Sequence, residues 1–361
     1  MLRKLSDGSV IDEEGKLIFI SMERFRRDMC EGRHCFLCGV SPDAADFNDE
    51  HILPDWLLRS HKLHGRYITL PNGTQFRYDQ YTVPCCVSCN SLLGERIEAP
   101  VRTLLTRRYE DVVEHIKAHG PGLLCTWLYL VFLKTHLKDT KLRLHRDRRR
   151  SGEPISSLLD LSELHHVHCM ARIVYTGCDL DRSAFPNIAV LPARTDIGET
   201  FDYCDLSHCM SMLLTTGETC LLIALNDCGM SQFAAEPYLK RAAGPLTAVQ
   251  QRELLARIGF ANFKMTERPT FHTRMDYATG KAVIVADVPD TVEVGEHTAE
   301  EYGQLFYHLV KDALEGAVNP DIEAVRQGVR AGTRTFIHDD EGNFLERSMY
   351  VDGEGTKSPG E

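Results

Sequence analysis

The stretch NDEHILPDWL, from Asn48 to Leu57, places a carboxylate directly before a histidine, as Glu50 and His51. A CxxC pair lies on each side of this stretch, in CFLC before it and in CVSCN after it. The second pair is followed at once by Asn90. The fold of the N-terminal part of the chain depends on whether these three segments form one site.

The two CxxC pairs predict a structural zinc site. Zn²⁺ prefers four soft ligands in a tetrahedron, and a CxxC turn holds two thiolates at a suitable separation. The alternative is a set of buried free cysteines, which are seldom spaced in this way. Cys86 is preferred to its neighbour Cys85 because Cys86 has the CxxC spacing to the last cysteine of the group. The predicted ligands are Cys35, Cys38, Cys86 and Cys89.

A zinc ion that joins the two pairs would bring Glu50, His51 and Asn90 towards one another. Hydrolysis of a phosphodiester needs a base to activate water and a cation to stabilise the charge of the transition state. The imidazole of His51 is suited to act as the base. The side-chain oxygens of Glu50 and Asn90 are hard ligands of the kind that Mg²⁺ or Mn²⁺ prefers.

These motifs, read together as CFLCG, DEHILPDWL and CVSCNSLLGERIE, resemble the HNH endonuclease family in its zinc-stapled ββα-metal form. The resemblance covers roughly residues 30–100. It implies an enzyme that cuts DNA, and the sequence leaves open whether RNA is also cut. It also implies that His51 is the general base, that Glu50 and Asn90 hold the catalytic Mg²⁺ or Mn²⁺, and that the four cysteines hold the structural zinc.

One position departs from the pattern of the family. An asparagine that orients the base histidine usually precedes the second CxxC by a few residues, and this chain has Tyr81 at about that point. Gln80, Asn72 or a backbone carbonyl are the alternatives for the orienting role.

Charge and cysteine content indicate the class of protein. The net charge is −11, but the segment 111–150 is basic and the acidic excess lies beyond it, so a polyanion is expected to meet the N-terminal part. The chain has 13 cysteines and no visible export signal, which is typical of a reduced, cytoplasmic protein. The most apolar run, Gly122–Leu133, is shorter than the roughly 20 residues of a membrane span, so we expect a buried helix and no membrane partner.

A basic run follows this helix. The functional interpretation is a surface that contacts nucleic-acid phosphates, and the alternative is a solvated helix face that continues into a linker. The predicted nucleic-acid-binding residues are Lys134, Lys138, Lys141, Arg148, Arg149 and Arg150. The nearby HHVHC segment, His165–Cys169, is interpreted as a strand with a polar face rather than as a metal site.

The fold class that these patterns predict is α+β. We expect a small ββα-metal HNH module at 1–110, a helical and basic connecting segment at 111–155, a larger α+β domain at 156–330 and a flexible polar tail at 331–361. The C-terminal domain is expected to regulate or target the nuclease. Two other functions stay open: a zinc-stabilised nucleic-acid-binding module that does not cleave, and a defence or toxin effector whose C-terminal domain senses a ligand or a protein partner.

Overall fold

The computed structural model describes residues 1–150, 152–196, 198–316 and 321–346. Its N-terminal half contains short strands and several helices. In chain order these are β1 Arg3–Lys4, β2 Val10–Ile11, β3 Leu17–Phe19, α1 Met22–Arg24, β4 Phe47–His51, α2 Asp55–Ser60, β5 Tyr67–Thr69, β6 Gln75–Arg77, β7 Thr82–Cys86, α3 Val87–Leu93, α4 Ala99–Leu105, α5 Tyr109–His119 and α6 Gly122–Asp139. Helix α1 continues as a π-helical turn, Phe25–Glu31, and a second π-helical turn, Gly94–Glu98, joins α3 to α4.

The C-terminal half has longer strands. Its elements are α7 Leu161–Ala171, α8 Ile173–Thr176, β8 Asp179–Leu180, β9 Ile188–Pro192, β10 Phe201–Leu206, β11 Ser211–Thr216, β12 Thr219–Ala224, α9 Met230–Leu239, α10 Ala248–Lys264, β13 Thr270–Asp276, β14 Lys281–Asp287, α11 Ala299–Gly316 and α12 Ile322–Arg330. The prediction of an α+β protein is confirmed.

The chain forms two compact units. The first contains residues 1–107, 114–186 and 269–288, and the second contains the rest. The predicted domain boundary near residue 155 does not separate these units. The reason is tertiary pairing: β14 of the hairpin β13–β14 pairs with β8 in the first unit, through Val283 opposite Asp179. Such a return of the chain has no local signal in the sequence.

Helix α6 is the central buried helix of the first unit. The run Leu124–Leu133 is buried apart from Thr126, as expected for its apolar composition. Of the helices that the structure describes, none is by itself long and apolar enough to cross a membrane. Helices α5 and α6 meet that test only as a pair, with a bend of 107° between them.

The HHVHC segment lies in helix α7 and not in a strand, so that prediction is wrong. Asp160 caps the helix by accepting a hydrogen bond from the backbone N–H of Ser162. Leu164, Val167 and Ala171 are buried and recur at helical spacing, which places them on one face against the rest of the unit. The local run of histidines concealed this period of three to four residues.

The second unit is built on a four-stranded antiparallel sheet in the order β10-β11-β12-β9. Helix α10 packs on β11 and β12 and is covered in turn by α9 and α11. A capping box formed by Thr247 and Gln250 fixes its start. The prediction that the tail frays from residue 331 is wrong for the described part, because Phe336 and Ile337 are fully buried in this core. Residues 347–361 lie outside the described residues.

Candidate metal centre and active site

The site is built on an antiparallel pair of strands and the helix that follows it. Strand β4 pairs with β7, with Glu50 opposite Val83 and His51 opposite Thr82. Strand β7 then continues directly into α3, whose N-cap is Cys86. This direct connection places the second CxxC pair at the junction of strand and helix.

The four predicted zinc ligands lie together. The Sγ atoms of Cys35, Cys38, Cys86 and Cys89 are all within 4.8 Å of one another, so they lie close enough to bind one metal ion. The Sγ atoms of Cys38 and Cys86 are 3.7 Å apart. Cys85 is outside this group, although its thiol contacts that of Cys35 at 3.8 Å. The preference for Cys86 over Cys85 is therefore confirmed.

The thiols of this cluster influence one another. Hydrogen bonds from neighbouring thiols lower the pKa of Cys35, and the thiolate of Cys35 in turn raises the pKa of Cys38 to about 12. Without a cation, four adjacent thiols, three of them buried, cannot all lose their protons at neutral pH. A thiophilic divalent ion stabilises four thiolates at once, and this donor set therefore fits zinc.

Side chains of helix α7 donate hydrogen bonds to the backbone of the first CxxC turn. Nε2 of His168 donates to the carbonyl oxygen of Phe36 at 2.8 Å, and Nε of Arg172 donates to that of Leu37 at 2.6 Å. Both side chains are fully buried. The histidines of HHVHC thus do not join the thiol cluster. His168 holds the turn between Cys35 and Cys38 in place, a role that the sequence analysis missed.

Glu50 is buried, with 6% of its surface exposed, and it forms an ion pair. The ammonium nitrogen of Lys134 lies 2.7 Å from Oε1 of Glu50. Lys134 is itself only 2% exposed. Burial lowers the pKa of Lys134, but the neighbouring carboxylates raise it above its ordinary value, so the side chain stays charged.

Lys134 does not lie on the exposed basic helix face that was predicted to contact nucleic acid, because its ammonium is buried and paired with Glu50. The predicted basic helix face assumed that Lys134 was exposed together with Lys138. A fully buried lysine is rare unless it is paired, and its partner Glu50 is distant in sequence. The sequence pattern could not show this pairing.

Glu98, which is partly exposed, is a third member of this charge cluster, and the sequence analysis missed it. Its carboxylate lies 3.8 Å from the nitrogen of Lys134. Burial raises the pKa of Glu98 to about 7, and the carboxylate of Glu50 adds to that rise while Lys134 opposes it. Two carboxylates thus share one ammonium, an arrangement that favours one carboxyl remaining protonated.

Asn90 and His51 occupy different sides of the strand pair. The amide nitrogen of Asn90 donates to Oδ1 of Asn48 at 2.9 Å. Asn48 and Glu50 are two residues apart on β4 and share one face, while Asp49 and His51 share the other. Asn90 therefore lies on the face of Glu50, and the half-exposed imidazole of His51 lies on the opposite face.

The residues near the position of the family's orienting asparagine differ in their burial and in their hydrogen bonds. Tyr81 is buried, and its carbonyl oxygen accepts a hydrogen bond from the N–H of Ile52 at 3.1 Å. The side chain of Asn72 bonds to Thr74 and to the carbonyl of Arg143, so it belongs to the β5–β6 turn. Gln80 is exposed in a short 3₁₀ turn before β7. Both polar atoms of the Asn72 side chain are thus engaged in hydrogen bonds.

The remaining basic residues are more accessible than Lys134. Lys138 is half-buried near the end of α6, and Lys141 donates to the backbone carbonyls of Cys30 and Gly32. Arg148–Arg150 are exposed in a segment without helix or strand, where Arg149 pairs with Asp147.

Comparisons of the chain with family models, with curated proteins and with solved structures find no match.

Proposed function

We propose that the chain is an endonuclease of the HNH type that hydrolyses phosphodiester bonds in DNA. The observation that carries the proposal is the four-thiol cluster at the junction of β7 and α3. This cluster ties the segment before β4 to the helix that bears Asn90, next to a strand that presents the half-exposed His51. We assign Zn²⁺ to the cluster in a structural role.

In this proposal His51 is the general base. Its imidazole accepts a proton from a water molecule, the water oxygen attacks phosphorus, and the bond from phosphorus to the leaving oxygen breaks as that oxygen takes up a proton. A half-exposed position allows the imidazole to meet both water and a bulky substrate. The second unit is assigned a regulatory or targeting role.

The predicted site for a catalytic Mg²⁺ or Mn²⁺ does not fit the described arrangement. The ammonium of Lys134 neutralises Glu50, and Asn90 is bonded to Asn48. A divalent ion at Glu50 would have to displace a buried ammonium that also bonds to the carbonyl oxygen of His51 at 2.7 Å. Glu50 is therefore not available as a metal ligand while Lys134 is paired with it.

This ion pair favours a second candidate function, a zinc-stabilised module that binds nucleic acid without cleaving it. In that case the Glu50–Lys134 pair is a structural element of the interior. Both functions predict binding to nucleic acid, but only the nuclease produces cleaved nucleic acid.

Incubation of the protein with supercoiled plasmid, with and without added Mg²⁺ or Mn²⁺, separates the two. A nuclease converts the plasmid to nicked and linear forms, and the His51→Ala protein does not. Retarded but intact plasmid in every reaction would support the binding module and contradict the nuclease.

A further inference from the structure

A cavity of about 250 Å³ lies beside the strand pair, on the face of β4 that carries Asp49. A second cavity of about 160 Å³ adjoins it and shares Arg33, Asp49 and Pro84 as lining residues. We call the larger one the hairpin cavity. Its floor is apolar and includes Phe36, Val83 and Leu137.

The rim of the hairpin cavity is cationic. Arg33, Lys138 and Lys141 line it together with His34, and Asp49 is the one acidic side chain among the lining residues. Lys141 is held in place by the carbonyl oxygens of Cys30 and Gly32, at 2.6 and 2.8 Å. These two bonds leave one of its three N–H groups for a ligand.

The lysines of this rim are partly buried, and carboxylates offset their charge only in part. Burial lowers the pKa of Lys141, and the guanidinium of Arg33 also lowers it, while Cys30 and Glu31 oppose this fall. Burial also lowers the pKa of Lys138, and the one opposing group is Asp49. Three like charges around a partly desolvated space are stabilised when an anion enters it.

We propose that the hairpin cavity binds a backbone phosphate of the nucleic-acid substrate. This inference rests on the proposed nuclease function for the identity of its ligand. Asp49 and His51 lie two residues apart on one face of β4, a distance of roughly 6.6 Å along a strand. Since Asp49 lines the hairpin cavity, the cavity adjoins the face of β4 that carries His51. Contacts with backbone phosphates fix the register of the substrate on the protein.

Binding of a fluorescein-labelled oligonucleotide tests this proposal without any cleavage. All proteins carry His51→Ala, no Mg²⁺ or Mn²⁺ is added, and anisotropy gives Kd between roughly 50 and 200 mM salt. Lys138→Met should weaken binding about tenfold and reduce the slope of log K against log salt by about 0.9. The matched control is Lys117→Met, which removes an exposed lysine of α5 that is not among the lining residues and should leave both values unchanged.

Asp49→Asn protects the test against misfolding. Removal of the acidic group of the rim should tighten binding about threefold, and a damaged fold cannot produce tighter binding. An oligonucleotide with uncharged methylphosphonate linkages should lose the sensitivity to Lys138→Met. Equal Kd values for Lys138→Met, Asp49→Asn and Lys117→Met would overturn the proposal.

Two further results are informative. Displacement of the oligonucleotide by micromolar inorganic phosphate would assign the cavity to a free phosphate and overturn the backbone assignment. If the binding results hold but a protein with intact His51 fails to cut DNA, the hairpin cavity stands and the nuclease function fails. If the protein cuts DNA but the cavity variants bind like the control, the nuclease function stands and the hairpin-cavity proposal fails.

Discussion

The ammonium nitrogen of Lys134 lies 2.7 Å from Oε1 of Glu50 and 2.7 Å from the carbonyl oxygen of His51. One buried cation of helix α6 therefore holds both residues of the Glu-His pair. Breaking a buried ion pair by removing one partner leaves an uncompensated charge and costs about 3–5 kcal/mol. The position of His51 on β4 thus depends on a residue far from it in the sequence.

Lys134→Met should create a divalent-cation site. The substitution leaves the carboxylates of Glu50 and Glu98 without their ammonium, and Mn²⁺ can then take its place. We expect a Tm that is lower than that of the wild type and that rises when millimolar Mn²⁺ is added. Lys138→Met is the control, and its Tm should not respond to Mn²⁺. An equal response of both variants would show that the ion binds elsewhere.

Cys86→Ser should release the structural metal and unfold the first unit. One thiolate of four is lost, and metal binding supplies folding free energy in such modules. Elemental analysis and circular dichroism measure the two effects. Cys85→Ser is the matched control, because Cys85 is the adjacent buried cysteine and lies outside the cluster. It should keep one zinc ion per chain. Loss of zinc from Cys85→Ser alone would reverse the assignment.

His168→Ala should weaken zinc binding without removing a ligand. The hydrogen bond from this side chain to the carbonyl of Phe36 fixes the turn of the first CxxC pair. Loss of an outer contact of this kind typically reduces metal affinity about 10- to 100-fold. Competition with a chromophoric chelator gives the affinity, and His119→Ala on the exposed part of α5 is the control. An unchanged zinc affinity in His168→Ala would show that the hydrogen bond from His168 to Phe36 does not contribute to metal binding.

Glu98→Gln should alter how stability depends on pH. Burial and Glu50 raise the pKa of Glu98 to about 7 in the folded chain, from an ordinary value of 4.5. The neutral form is favoured on folding, so its contribution is full below pH 4.5 and is lost as the pH rises through about 7. The wild type should therefore lose stability relative to Glu98→Gln between these pH values, as measured by urea unfolding. A difference that is constant with pH would contradict the raised pKa.

Local spacing predicted the elements whose partners are close in sequence. The CxxC pairs follow from the spacing of a few neighbouring residues, and the buried helix α6 follows from the apolar run Gly122–Leu133.

What the sequence could not reveal depends on distant partners. The sequence pattern places Lys134 on a basic helix face. Its partners Glu50 and Glu98 are distant in sequence and come close to it only in the folded chain. The apolar pair Phe336 and Ile337 lies in a polar, Gly-rich segment, and only the core of the second unit explains its burial. The same holds for His168, whose partner is a backbone carbonyl and leaves no pattern of residue types.

The central claim is that His51 acts as the base of a phosphodiesterase. Its most direct test is the single-turnover rate of plasmid cleavage at saturating protein, where differences in binding no longer contribute. We predict that His51→Ala lowers this rate by roughly 10²–10⁴, the usual range for a lost general base, while His119→Ala leaves it unchanged. Cleavage by His51→Ala at the wild-type rate would contradict the account, as would intact plasmid with the wild type under all metal conditions.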